Sequence, residues 1–294
     1  GTITLISMMA GHIYGAPPVS IYIALSIAML DNALQKEEVE VKAKEKNKIT
    51  IFALHLNYGG VEQYISSLCK MLGDNYNIEI ISTYKINDTP AFPFDDKIKI
   101  KYLIEGGPNK EELKKAIRNK QIINIIKEGI KAIKILYLKK YRNIKAIRET
   151  YSDYIITTRK FHNRLVGYYA YYDITKIATE HNYHNNNKKY IKKLINSIVD
   201  FDYFVVVTDN LKEFYENKIG KTKCVYIPNI IDELPKKSTD LQENNIINIG
   251  RFEEEKAQEE LIYIVKELKK EVKDIKLFLI GDGSLKGHLI DKIK

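Results

Sequence analysis

Residues 49–72 read ITIFALHLNYGGVEQYISSLCKML. The apolar run at 49–54 has the length and branched content of a strand buried on both faces. It stops at Asn57, Tyr58, Gly59 and Gly60, and over 61–72 the apolar residues recur at helical spacing. Strand, glycine turn and helix in that order begin a βαβ unit, whose next strand must run parallel to the first.

The same alternation continues outward. Strand candidates lie at 78–83, 98–103, 154–157, 176–179, 204–207 and 224–227, and helical segments at 111–148, 162–171, 188–199 and 210–218. Strands alternating with helices predict an α/β fold with a mostly parallel, doubly wound sheet. A polar passage at 233–245 then introduces a second unit, with a strand at 246–249, a helix at 257–272, a strand at 275–280 and a glycine-rich turn into a last helix. The expected organisation is an unassigned segment with a charged linker at 1–47, a Rossmann-like domain at 48–240 and a partial second domain at 241–294.

Composition narrows the class. The chain has 294 residues, enough for roughly two domains of ~100–200 residues. A hydrophobic share of 45% excludes a disordered chain. Cys69 and Cys224 are the only cysteines, too few for a disulfide framework or a cysteine zinc site, and a reducing compartment fits them. Residues 1–30 carry no charge apart from His12, and Pro17 and Pro18 interrupt them. The helix candidate that follows, 19–34, has an uncharged part shorter than the ~20 residues needed to span a bilayer. Without a positive n-region it does not read as a signal peptide. Residues 36–48 are charged, lack an apolar face and read as a solvated linker. The first residue is Gly1 rather than Met, so a piece of a longer chain is expected. Residues 1–47 carry no functional reading.

The net charge of +9 is uneven: residues 97–150 hold sixteen Lys and Arg against five Asp and Glu, a surplus larger than that of the whole chain. Apolar residues recur among these lysines at broadly helical spacing. Two readings stay open: a core-facing helix with a solvated lysine face, and a basic amphipathic helix lying on an anionic membrane surface. A nucleic-acid partner is not expected, because no recognition motif accompanies the charge.

Ligands of such sheets bind beyond the carboxyl ends of the strands. Four loops there are informative. Gly59-Gly60-Val61-Glu62 allows close backbone approach at a helix N-terminus that favours negative charge. Thr179-Glu180-His181-Asn182 places a histidine at a strand end; His184 follows, but no third ligand marks a metal site. Gly250-Arg251-Phe252, with Lys256 after it, offers two cations beside backbone N–H groups, a site for a diphosphate. Pairing of those cations with Glu253, Glu254 and Glu255 is the plain structural alternative. Gly281-Asp282-Gly283 and Gly287 resemble a dinucleotide fingerprint but are spaced one residue too long.

Taken in order, Gly-Gly-Val-Glu (59–62), Thr-Glu-His-Asn (179–182), Val-Thr (207–208), Ile-Pro-Asn-Ile-Ile-Asp (227–232), Gly-Arg-Phe (250–252) with Lys256, and Ile-Gly-Asp-Gly (280–283) resemble the family 4 glycosyltransferases, over residues 48–294. The resemblance implies a GT-B fold and a retaining, metal-independent hexosyltransferase. Its substrates would be a nucleotide-sugar donor and a glycan or lipid-linked acceptor, in cell-surface polysaccharide synthesis. No cofactor is implied, since the nucleotide sugar is a co-substrate. The location implied is cytoplasmic, peripheral on the inner membrane face. Carried over by motif, Arg251 and Lys256 bind the donor diphosphate and His181 faces the transferred sugar as the catalytic histidine. Gly59, Gly60 and Glu62 line the cleft, and Gly250, Gly281 and Gly283 shape the nucleotide loops. Two departures stand out. Ala257 occupies a position where the family has Gly, and the Glu-x7-Glu motif is expected beyond Lys294. The competing readings are a non-catalytic nucleotide- or membrane-binding module lacking half its site, and an NAD-dependent Rossmann enzyme using the 281–287 loop.

Overall fold

The computed structural model describes residues 47–182, 184–230, 237 and 242–293. The helix expected at 19–34, nearly all of the linker expected at 36–48 and much of the passage 233–245 lie outside the described residues. The chain divides into two compact units between residues 232 and 233.

In the first unit, seven strands form one parallel sheet: β1 (Lys48–Ala53), β2 (Asn77–Lys85), β3 (Lys99–Glu105), β4 (Tyr154–Thr157), β5 (Thr175–Glu180), β6 (Tyr203–Val206) and β7 (Lys223–Tyr226). Their order is β3-β2-β1-β4-β5-β6-β7. The helices are α1 (Gly60–Leu72), α2 (Lys110–Arg118), α3 (Ile122–Arg148), α4 (Lys160–Tyr169), α5 (Lys188–Ile195) and α6 (Asp209–Glu216). Strand β1 is paired on both edges: its Ile51 lies opposite Ile80 of β2 and Ile156 of β4.

The near-continuous apolar run of β1 is explained by burial on both faces. Ile49, Ile51 and Ala53 pack with Tyr64, Ile65, Leu68 and Leu72 of α1. Phe52 points the other way, into a cluster with Ile147 of α3, Leu165 and Val166 of α4, and Leu194 of α5. Each such side chain removed from water contributes roughly 1.5–3 kcal/mol, so alternate residues of one strand hold helices on both sides of the sheet.

The helix expected over 111–148 is two helices. Lys120 adopts the left-handed conformation at φ 53°. The Lys120 N–H donates to Ile117 O at 3.1 Å and the Gln121 N–H to Ala116 O at 3.0 Å. This is the Schellman pattern that ends a helix, usually with Gly or Asn where Lys120 stands. The basic stretch also divides its apolar residues. Ile135, Leu138 and Ile144 of α3 pack on the core, whereas Ile122, Ile126, Ile130, Ile133 and Tyr137 are exposed.

The second unit pairs β8 (Asn245–Ile249) in parallel with β9 (Lys276–Ile280), with α7 (Gln258–Leu268) and α8 (Lys286–Ile293) beside them. Ile247, Ile249, Phe278 and Ile280 are exposed. Among the described residues one face of this small sheet is therefore bare, whereas parallel sheets normally carry cover on both.

Candidate functional site

A doubly wound sheet opens a crevice beyond its strands' carboxyl ends where the strand order reverses. Here the reversal falls between β1 and β4. The loop after β1 supplies His55, Gly59 and Gly60, the loop after β4 supplies Arg159, and β5 runs out through Thr179 and Glu180 into His181.

Glu62, in the first turn of α1, is only 3% exposed. Its carboxylate accepts from the Arg159 guanidinium at 3.3 Å and lies 3.5 Å from His55 Nδ1. The Asn57 N–H donates to that same His55 nitrogen at 3.4 Å, which places the imidazole proton on Nε2. Burial first lowers the His55 pKa; Glu62 opposes the shift and Arg159 adds to it. Gly59 is required by close approach: a Cβ there would sit 2.1 Å from Glu62 Oε2. At Gly60 a Cβ would meet nothing within 4 Å, so this glycine leaves backbone open rather than relieving a clash.

The ring of His181 packs on Tyr64 at 4.3 Å between centroids. The Thr179 hydroxyl donates to Thr157 O at 3.2 Å, leaving its oxygen to accept from His181 Nε2–H, also at 3.2 Å. Burial holds the His181 pKa down at about 4; a hydrogen bond with Asn229 pulls upward and the Arg159 charge pushes further down. His181 is thus a neutral hydrogen-bonding group at neutral pH. His184 is separately employed: its ring packs on Phe214 at 4.2 Å and its Nδ1 accepts from the Asn186 N–H at 3.0 Å. Glu180 accepts from the Tyr190 hydroxyl at 2.7 Å and from the Asn182 N–H at 2.9 Å, which fixes the loop carrying His181.

Glu62 therefore contacts Arg159, Gly59 abuts the Glu62 carboxylate, and the Arg159 charge reaches His181, although no motif marks Arg159. Arg159 lies 97 positions from Glu62 in sequence, and its Nε is buried without a hydrogen-bond partner among the described residues.

In the second unit the loops after β8 and β9 are stitched together. The Gly250 N–H donates to Ile280 O at 3.0 Å and the Phe252 N–H to Asp282 O at 2.9 Å. A Cβ on Gly281 would lie 1.9 Å from Gly250 O, and one on Gly283 would lie 2.4 Å from Phe252 O. Both glycines are thus explained by the approach of the 250–252 loop. The buried Gln258 donates to Arg251 O at 2.9 Å, pinning the backbone that carries the guanidinium. Lys256 is exposed and ends a short 3-10 turn, Glu254–Lys256. Of the intervening acids, Glu253 accepts from the Ser284 N–H at 3.1 Å and hydroxyl at 2.8 Å. Those bonds, aided by the Arg251 charge, keep its pKa below the usual carboxylate range. Gly250, Arg251, Lys256, Gly281 and Gly283 therefore form one loop cluster, able to present two cations to an anion.

No family model matches the chain. It is similar to an exopolysaccharide phosphotransferase of Streptomyces coelicolor, 22% identical over an alignment of 246 residues, with 80% of this chain and 26% of that protein covered. The chain thus spans about a quarter of that relative's length. Among solved structures it resembles TarM of S. aureus, a mutant in complex with fondaparinux, alpha-GlcNAc-glycerol and UDP, with a TM-score of 0.61 at 12% identity, covering 84% of this chain and 74% of that one. A second TarM structure gives a TM-score of 0.60 at 12% identity, with 85% and 74% covered. The fold is that of the GT-B glycosyltransferases.

Proposed function

We propose that the protein transfers a sugar from a nucleotide-sugar donor to a glycan or lipid-linked acceptor in cell-surface polysaccharide synthesis, at the inner membrane face. The observation that supports this reading is the stitched loop pair after β8 and β9, in which Gln258 holds the Arg251 backbone and Lys256 closes the short turn that follows. Support also comes from the UDP and glycoside held by the TarM structure of the same fold, and from the exopolysaccharide in the name of the S. coelicolor relative.

In this reading the bond between the sugar C1 and the diphosphate oxygen breaks, and its electron pair leaves with the diphosphate. Arg251 and Lys256 supply the positive charge that meets the developing diphosphate, which stabilises the transition state more than the ground state and does the work of a metal. The acceptor hydroxyl bonds to C1 on the face the diphosphate leaves, and its proton passes to the departing phosphate, so configuration is retained. His181, held neutral, serves as a hydrogen-bond partner for a sugar hydroxyl rather than as a proton donor. Gly59 and Gly60 admit the ligand, and Glu62 orients Arg159 from below.

The test is to supply the full chain with a panel of nucleotide sugars and an envelope glycan fraction and to identify the nucleotide released. Sugar transfer releases a nucleoside diphosphate. Release of a nucleoside monophosphate would instead mean transfer of a sugar phosphate, and would overturn the proposal.

A further inference from the structure

Among the described residues, the outer face of α3 is apolar and uncovered. Ile122, Ile126, Ile130, Ile133, Tyr137 and Tyr141 follow one another at spacings of three and four, and all are 54–72% exposed. The stripe is about 28 Å long at ~1.5 Å per residue. Soluble monomers rarely leave so continuous an apolar surface in water without a partner for it.

The charge around the stripe has one sign. Lys127 and Lys134 directly follow Ile126 and Ile133 in sequence, which sets them about 100° round the helix, at the border of the stripe. The only carboxylate of α3, Glu128, is turned inward, where it accepts from Asn109 Nδ2 at 2.7 Å. Lys140, one turn beyond Tyr137, opens onto a groove of about 840 Å³ between α3, α4 and α5. Three more cations line that groove, Lys160, Arg164 and Lys193, with Phe161 and Tyr168 among its walls and no acidic residue. Lys160 there stands 3.0 Å above the Tyr190 ring.

We infer that this face docks on an anionic lipid bilayer, with the α3 stripe in the headgroup–acyl boundary and the cationic groove holding lipid phosphates. A helix of this kind lies in the interface plane, and no helix among the described residues is long and apolar enough to cross a membrane. A second copy is a poor occupant, because two faces with the same positive surplus repel. The groove also adjoins the candidate site: Lys160 lines it, and its neighbour Arg159 contacts Glu62. Docking would thus bring lipid-borne substrates to the cleft. The inference deepens the membrane location in the proposed function and rests on that reading for its substrates, while the docking itself is argued from the surface.

The experiment is flotation of the full chain with vesicles of phosphatidylcholine, with and without about 30 mol% phosphatidylglycerol. The wild type should float only with the anionic vesicles. Ile126→Asp with Ile133→Asp, and separately Lys140→Glu with Arg164→Glu, should each weaken binding by roughly tenfold or more, with circular dichroism unchanged. Absence of wild-type binding, or full binding by the Asp pair, overturns the inference. So does a dimer in sedimentation that the Asp pair dissociates, since it would assign the stripe to a second copy. Nucleotide release with a water-soluble acceptor reads the proposed transfer separately, because none of these four residues belongs to the loop clusters.

Discussion

The Arg159 guanidinium lies 3.3 Å from the Glu62 carboxylate, joining the first turn of α1, which follows β1, to the loop after β4 across the strand-order reversal. Glu62 is buried and Arg159 is partly exposed. Removing the cation leaves a desolvated carboxylate with only a neutral imidazole beside it. Arg159→Ala should therefore destabilise the protein by about 2–3 kcal/mol, less than the ~3–5 kcal/mol for breaking a fully buried pair, because solvent reaches the arginine. Glu62→Gln, which keeps a hydrogen-bond acceptor, should cost less. Urea unfolding of the two variants measures the difference, and equal losses would mean that the charge pair is not what matters.

Gly59→Ala probes the same carboxylate from the other side. The added methyl would meet Glu62 Oε2 at 2.1 Å, so the side chain must swing off Arg159. The expected loss is about 1–3 kcal/mol. Gly60→Ala, with open space at its Cβ, should leave stability nearly unchanged while obstructing any ligand that uses the exposed backbone. A melting curve of each separates the packing role from the binding role.

Acid should weaken the first unit. Burial holds the His162 pKa down at about 3, with Lys139 and Arg159 adding to the shift, and that of His181 at about 4, against 6.5 for a free histidine. Both are bases with lowered folded pKa values, so the unfolded chain binds protons first. Their stability contribution is complete above about pH 6.5 and is lost as pH falls through the window toward 4 and then 3. The fully buried His162 contributes up to ~1.4 kcal/mol per pH unit there; His181, partly exposed, contributes less. In urea titrations at pH 7.5 and pH 5, His162→Gln should lose less stability on acidification than the wild type. Parallel losses would contradict this.

Ala257 sits in the left-handed region at φ 52° and ψ 34°, between the 3-10 turn and α7. A side chain there costs about 1–2 kcal/mol relative to the right-handed form. Glycine escapes that strain but gives back part of the gain through a freer unfolded chain. Ala257→Gly should raise the stability of the second unit by about 0.5–1 kcal/mol. Hydrogen exchange of the α7 amides reads the effect locally.

The first sheet was largely legible because β1, β4 and β6 carry short, mostly apolar runs of the kind that strands buried on both faces show. The Gly59-Gly60 turn was legible for a different reason: glycine is itself a backbone signal. Three features left no such mark. The break at 119–121 is made by Lys120, a residue without left-handed preference, so composition argues for one continuous helix. The stripe on α3 has a period that serves a core and a bilayer equally, and only the fold decides which side of the helix faces inward. Arg159 reaches Glu62 because β4 lies beside β1 in the sheet, and a neighbour made by topology has no spacing to recognise. In the second unit the 250–252 backbone presses on Gly281 and Gly283, a close approach between two loops that the spacing of the glycines does not reveal.

The most direct test of the transfer account is the rate of nucleoside diphosphate release by the full chain when Arg251 and Lys256 are replaced singly by alanine. Loss of a charge-assisted contact of ~1.5–3 kcal/mol corresponds to a drop of roughly 10- to 150-fold in kcat/KM for each variant. Gln258→Ala, which releases the Arg251 backbone, should give a smaller drop. Turnover unchanged in both alanine variants would contradict the account, because no fixed cation would then be meeting the charge of the leaving diphosphate.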